Sequence, residues 1–164
     1  QLVASTARIG VAKAERFPKL SLTGILGVAS LVGEAEVIDT GPHWLTTQVA
    51  DVALLSPDAA RLKAHIERNG AQGVTAYSET APGEIAVRSF FFTDGLVEDP
   101  VCGSGNAAVA VHRIRAGTIG NGDAWLARQG QQIGRDGEIR VRIEDGNVHV
   151  GGQCVTCVEG VFTI

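Results

Sequence analysis

The sequence predicts an α+β domain in which a twisted, mostly antiparallel sheet curls around one buried central helix. Short β-branched runs bounded by Gly, Asp and Pro fill much of the chain after Glu34, which is strand texture. Twenty-one glycines against five prolines, mostly at turn-like places, mark many short elements joined tightly. The segment Ala107-Ala108-Val109-Ala110-Val111-His112-Arg113-Ile114 is apolar nearly all round at its start, so a helix there needs cover on most sides.

A chain of 164 residues, 45% hydrophobic and 20% charged, holds enough apolar material for one core. Its net charge of -4 leaves no basic surplus to neutralise phosphates, and its arginines are scattered among acids, which argues against nucleic acid as a partner. The apolar run Ile25 to Val32 is too short to span a bilayer, so no membrane is expected. Three cysteines, an odd count, suit a reducing cytoplasm better than a disulfide framework. The chain begins at Gln1, as a fragment or processed product would.

Taken in order, Leu2 to Arg16 reads as a helix closed by Phe17-Pro18, and Lys19 to Leu26 alternates like a strand. A domain edge is expected near Gly33, separating an added segment 1–33 from a domain over 34–164. Strands follow at Glu36 to Thr40 and Leu45 to Val52. Ser56-Pro57-Asp58, an apolar stripe through Leu62 and Ile66, and Asn69-Gly70 give an amphipathic helix its start, face and stop. Gly73 to Ser78 and Glu84 to Thr93 are strands. The second places Ile85, Val87, Ser89 and Phe91 on one face, with Ala86, Arg88, Phe90 and Phe92 on the other. The last strands are Ala124 to Gln129, Glu138 to Glu144 and Asn147 to Val158, with turns at Asp136-Gly137 and Asp145-Gly146; the final two form a hairpin.

Chemistry centres on Asp99-Pro100-Val101-Cys102-Gly103-Ser104-Gly105-Asn106. Cys102 precedes the buried helix, where unpaired N–H groups and the helix dipole favour a thiolate, so it is expected to alkylate faster than Cys154 or Cys157. The N–H groups of Gly103, Ser104, Gly105 and Asn106 offer a carboxylate cradle, and Asp99 and Glu98 are candidate proton carriers. The plainer alternative is a tight strand-to-helix turn capped by Ser104 or Asn106. Cys154-Val155-Thr156-Cys157 has redox spacing, but on a strand its thiols face opposite ways, which favours packing. His112 reads as a satisfied core or margin residue rather than a base, His43-Trp44 as a pocket border or core, and His65 and His149 as solvent-facing.

The run Glu98-Asp99-Pro100-Val101-Cys102-Gly103-Ser104-Gly105-Asn106-Ala107 closely resembles the Glu-Asp-Pro-x-Thr-Gly-Ser segment of phenazine-biosynthesis-like (PhzF-like) isomerases, which share the diaminopimelate epimerase fold. Three further stretches resemble that family in the same order: Val37 to Pro42, Val87 to Phe90, and Gln129-Gly130 through Gly134-Arg135-Asp136-Gly137. Four motifs in order over roughly residues 34–160 are specific where one is not.

The resemblance implies a diaminopimelate epimerase-like half. It implies a substrate-side aspartate at Asp99 and substrate contact at Gly103 and Ser104. Cys102 departs from the family's usual threonine and stands where related epimerases and racemases place a catalytic cysteine. Only the second half of a two-half enzyme is matched, and the first half's catalytic glutamate has no counterpart in this sequence. Residues 1–32 resemble instead a helix-and-strand fragment of outer-membrane efflux proteins, which implies a fused or rearranged reading frame.

Three functions compete on these residues. The first is an isomerase or epimerase moving a proton on a small carboxylate-bearing substrate, with Asp99 and Cys102 catalytic and with no metal or organic cofactor implied. The second is a thiol hydrolase of esters or lactones. The third is a half-enzyme that binds small anions without turnover. An orphan half exposes the face its partner half would cover, so a homodimer is expected, either pairing two Cys102 motifs across one site or joining through an edge strand or the added segment.

Overall fold

The computed structural model describes residues 24–27, 32 and 34–161. Eight strands form one sheet: β1 (Glu36–Asp39), β2 (His43–Gln48), β3 (Gly73–Ala81), β4 (Glu84–Phe92), β5 (Leu96–Asp99), β6 (Ala124–Gln129), β7 (Gly137–Glu144) and β8 (Asn147–Gly151). Their order is β1-β2-β3-β4-β6-β7-β8, with β5 added beside β4. Five of the seven pairings are antiparallel; β2 with β3 and β4 with β6 are parallel. Helix α1 (Ala59–Arg68) crosses from β2 to β3, and α2 (Gly103–Arg115) follows β5. This is the expected α+β sheet around a buried helix.

The two faces of β4 divide the core in two. Ile85 and Val87 join Tyr77, Val109, Ala110, Trp125 and Ile139 around α2. On the reverse face Phe90 joins Leu62 and Ile66 of α1, together with Val74 and Ala76. Period-two alternation on one strand thus feeds both layers. Helix α1 begins where Asp58 accepts the N–H of Arg61, and it buries the stripe Leu62, His65 and Ile66. His65 is therefore a core residue, not solvent-facing. The i+3 step from Leu62 turns it inward, and Arg68 donates to its Nδ1 at 3.0 Å. Burial, reinforced by the Arg68 charge, holds its pKa below the ordinary 6.5.

The second edge of β4 forks. Its first half, Glu84 to Val87, pairs with β6, and its second half, Ser89 to Phe92, pairs with β5. Asp99 ends opposite Ser89, Gln129 opposite Val87, and the chain leaves β5 through the gap to start α2. Strand β5 is absent from the sequence expectation because four residues ending in Glu-Asp carry too little pattern to be read as a strand.

Other departures are local. The strand expected over Leu45 to Val52 ends at Gln48, where Asp51 caps a 3-10 turn over Val52–Leu54. Gly137 lies inside β7 rather than in a turn. The strand expected to run to Val158 stops at Gly151. Residues 24–26 are helical rather than the end of a strand, while the helix expected over Leu2 to Arg16 and the rest of the strand expected over Lys19 to Leu26 lie outside the described residues. The β7–β8 hairpin turns on Asp145 (φ 51°) and Gly146 (φ 73°), two left-handed residues as a type I′ turn requires. Among the described residues no helix is long and apolar enough to cross a membrane.

Candidate active site

The residues from Asp99 to Ser104 form a ridge between two clefts. Asp99, Cys102 and Ser104 line a cleft of about 340 Å³ with Trp44 and Phe91. Val101 and Gly103 face a larger one of about 530 Å³, where Arg128 and Glu138 pair at 3.2 Å. The larger cleft holds none of the nucleophilic or acidic groups of the motif, so the smaller is the candidate site.

Local structure dictates how the ridge is built. Asp99 Oδ1 accepts the N–H of Val101 at 2.9 Å, turning the chain out of β5. Cys102 then caps α2: its Sγ accepts the N–H of Gly105 at 3.3 Å, and its carbonyl accepts that of Asn106 at 3.0 Å. Of the four amides expected to cradle an anion, those two are thereby used, and only Gly103 and Ser104 keep N–H groups without an acceptor. Gly103 faces open space, whereas a Cβ on Gly105 would stand 2.8 Å from Ser89 Oγ and 3.0 Å from Cys102 Sγ. That glycine lets the helix sit down on β4.

Beneath the ridge lies an amide relay. Asn106 is fully buried; its Nδ2 donates to the Cys102 carbonyl at 2.9 Å and to Gln129 Oε1 at 3.0 Å, while its Oδ1 is buried without a partner. Gln129, also fully buried, passes the relay on by donating from Nε2 to the Asp99 carbonyl at 2.7 Å. Gly130 and Gly137 complete the support, since a Cβ on either would meet the Pro100 carbonyl oxygen at 2.8 Å and 2.6 Å. Gln129, Gly130 and Gly137 belong to a block that the sequence marked only by resemblance; their role needs the fork in the sheet to be seen.

The β1–β2 hairpin closes the opposite side. Thr40 donates to the Ser104 carbonyl at 3.2 Å, and Trp44 donates from Nε1 to Ser104 Oγ at 3.1 Å. An indole N–H can only donate, so the Ser104 hydroxyl accepts it and its own proton is available to Cys102 Sγ, 3.7 Å away. Trp44 is both core and pocket wall, 5% exposed.

The electrostatics reverse one expectation. Burial pushes the Cys102 thiol up, and the neighbouring Asp99 carboxylate adds to that; the donors from Gly105 and Ser104 pull the other way and are outweighed. Cys102 is therefore a protonated thiol at neutral pH rather than a ready thiolate, because the cap position that offers it N–H groups also removes it from water. Glu98 is not in the cleft. Consecutive strand residues face opposite ways, and Glu98 lies on the far face in a two-point ion pair with Arg88, at 2.9 Å and 2.7 Å. Arg88 also donates to the carbonyls of Val52 and Leu55, so this pair holds β5, and Asp99 with it, against the body of the fold.

None of the four histidines lines the cleft. His112 is the satisfied core residue expected, its Nε2 donating to the Glu34 carbonyl at 2.7 Å and its Nδ1 facing the Tyr77 hydroxyl at 3.0 Å. His43 pairs with Asp39 and His149 lies 3.9 Å from Glu144.

A mixed sheet wrapped on one buried helix is the α+β arrangement found in solved epimerase-like and PhzF-family proteins. The model of the phenazine biosynthesis-like (PhzC-PhzF) proteins matches residues 10–160, and the chain belongs to that family. Among curated relatives, the antisense-enhancing sequence 1 protein of Schizosaccharomyces pombe is 32% identical over 143 residues, covering 82% of this chain and 48% of that protein. An uncharacterized isomerase of the same yeast is 32% identical over 138 residues, 77% of this chain and 75% of its own length. A predicted epimerase of Pseudomonas aeruginosa superposes with a TM-score of 0.64 at 24% identity, covering 85% of this chain and 52% of that one. A PhzF-family protein of Bacillus anthracis gives 0.62 at 18%, with 84% and 52% covered. The chain thus spans about half the length of the first of these relatives and of both solved structures.

Proposed function

We propose that this chain carries one wall of an isomerase site in which a proton is moved on a small substrate held by its carboxylate. The observation that carries this reading is the convergence of Asp99, Cys102 and Ser104 on one cleft at the start of α2, where the Ser104 amide has no acceptor. The Ser104 amide receives the substrate carboxylate at the helix N-terminus. Asp99 takes a proton from the adjoining carbon. The protonated Cys102 thiol, backed by the Ser104 hydroxyl, faces the negative charge that develops and is the acid that returns a proton. Family membership and relatives named as isomerases support the class of reaction.

The amide relay, rather than the substrate, engages Asn106, and Gly105 serves the close approach of helix to strand. A site working on both faces of a carbon needs a second wall, which a second copy of the chain would supply in a homodimer. Val101, 50% exposed on the ridge, is an apolar contact for it. The thiol-hydrolase reading lacks a histidine to take the Cys102 proton, since none lines the cleft.

The test is a time course in heavy water with a panel of small hydroxy-, amino- and unsaturated acids and their esters. Solvent deuterium entering the carbon beside the carboxylate supports the proposal; hydrolysis of esters without deuterium uptake overturns it. Sedimentation decides the homodimer: a monomer under turnover conditions removes the second copy from the site.

A further inference from the structure

Cys154 and Cys157 are left unused by the reaction above. Their reading as packing residues depends on a strand, where side chains three apart point to opposite faces. That premise fails here, because the ladder ends with Gly151 opposite Arg140 and the chain from Gly152 to Val161 has neither helix nor strand. Both thiols are free and exposed. The side chains around them are not packed either: Val155 is 87% and Val158 89% exposed. No backbone hydrogen bond holds residues 153–161 among the described residues. Cys157 already turns its Sγ back over the intervening residues, 3.6 Å from the Val155 carbonyl.

We propose that Cys154 and Cys157 form a dithiol that closes into an intramolecular disulfide, a redox site separate from Cys102. A disulfide needs Cα atoms roughly 4.4–6.8 Å apart. A fully extended run would hold residues three apart at about 10 Å, so closure requires a turn through Val155-Thr156. A segment without a ladder makes that turn without breaking any backbone hydrogen bond, and the short spacing keeps the second thiol beside the first. With a low-molecular-weight disulfide such as oxidised glutathione as oxidant, one cysteine thiolate attacks a glutathione sulfur and releases one glutathione thiol. The second cysteine then attacks the mixed disulfide and releases the other. Two thiol protons are lost, the cysteine pair is oxidised by two electrons, and one oxidised glutathione becomes two reduced molecules.

The site's position gives closure a consequence. Gly151, Gly152 and Gln153 wall the larger cleft beside Gly103, and Cys154 is the next residue. Closing the ring converts an extendable β-prone run into a fixed turn immediately beyond that wall. Cys102 is buried and hydrogen-bonded, so it stays outside the exchange.

The experiment uses the full chain in graded mixtures of oxidised and reduced glutathione, quenched with iodoacetamide and read by peptide mass. The peptide holding both cysteines should lose the mass of two hydrogens and resist alkylation, with the sedimentation of the protein unchanged. Amide hydrogen exchange over residues 154–158 should slow on oxidation. Cys154→Ser should abolish the closed form and leave Cys157 carrying glutathione. Separate glutathione adducts on both cysteines of the unsubstituted chain, or chain-to-chain cross-links as the sole oxidised product, would overturn the proposal.

Discussion

The side-chain amide of Gln129 donates to the backbone carbonyl of Asp99 at 2.7 Å, joining the end of β6 to the end of β5 across the fork in β4. Through Asn106 the same relay reaches the Cys102 carbonyl, so both reactive residues are held from behind by their own backbones.

Gln129→Leu should therefore cost about 2–4 kcal/mol, since it removes two buried hydrogen bonds and leaves the Asp99 carbonyl without a donor. Urea unfolding measures it. The double variant with Asn106→Leu should cost clearly less than the two single costs added, because the pair acts as one network. Simple additivity would show that the relay is not a unit.

Gly137→Ala tests the floor of the ridge. Its Cβ would stand 2.6 Å from the Pro100 carbonyl oxygen and 2.8 Å from that of Gln129, backbone atoms that cannot swing aside. A loss of about 1–3 kcal/mol is expected, with faster alkylation of Cys102 as the ridge lifts. Unchanged stability and labelling would mean that the ridge does not rest on this glycine.

Cys102 should alkylate more slowly than Cys154 and Cys157 near neutral pH, being buried and protonated where they are exposed. Its labelling should accelerate only above the ordinary thiol range, the direction set by burial. Faster labelling of Cys102 in the folded protein would restore the thiolate that helix position alone suggests.

His65 makes the fold sensitive to acid. Its folded pKa lies below 6.5, so the unfolded chain takes up this proton first as pH falls. The stabilisation is present above 6.5 and is lost as pH drops through the folded value. His65→Gln should flatten the decline in urea midpoint between about pH 7.5 and about pH 5.5. An equally steep decline would assign acid sensitivity to other groups.

Much of this was legible where the local signal and the tertiary result agree. The start of α1 after Ser56-Pro57, the Asp145-Gly146 turn and the two-faced pattern of β4 each act through neighbours in sequence and are found, with Asp58 as the cap and Pro57 before the helix rather than in its first turn. What sequence could not carry is long-range. The fork needs the registers of β5 and β6 on one edge, the Glu98–Arg88 pair needs the far face of the sheet, and the rise in the Cys102 pKa needs burial, which a motif does not display. The misreading of His65 has the same origin: its helical face was known, but not how wide a stripe α1 buries.

The central claim is that Asp99 moves the proton while the helix start holds the substrate. It is tested most directly by comparing the unsubstituted chain with Asp99→Asn in heavy water, on a carboxylate that exchanges deuterium. The expected result is a fall in exchange of at least about 100-fold, while that carboxylate still shifts the amide resonance of Ser104. Exchange retained at most of its original rate in Asp99→Asn would contradict the account.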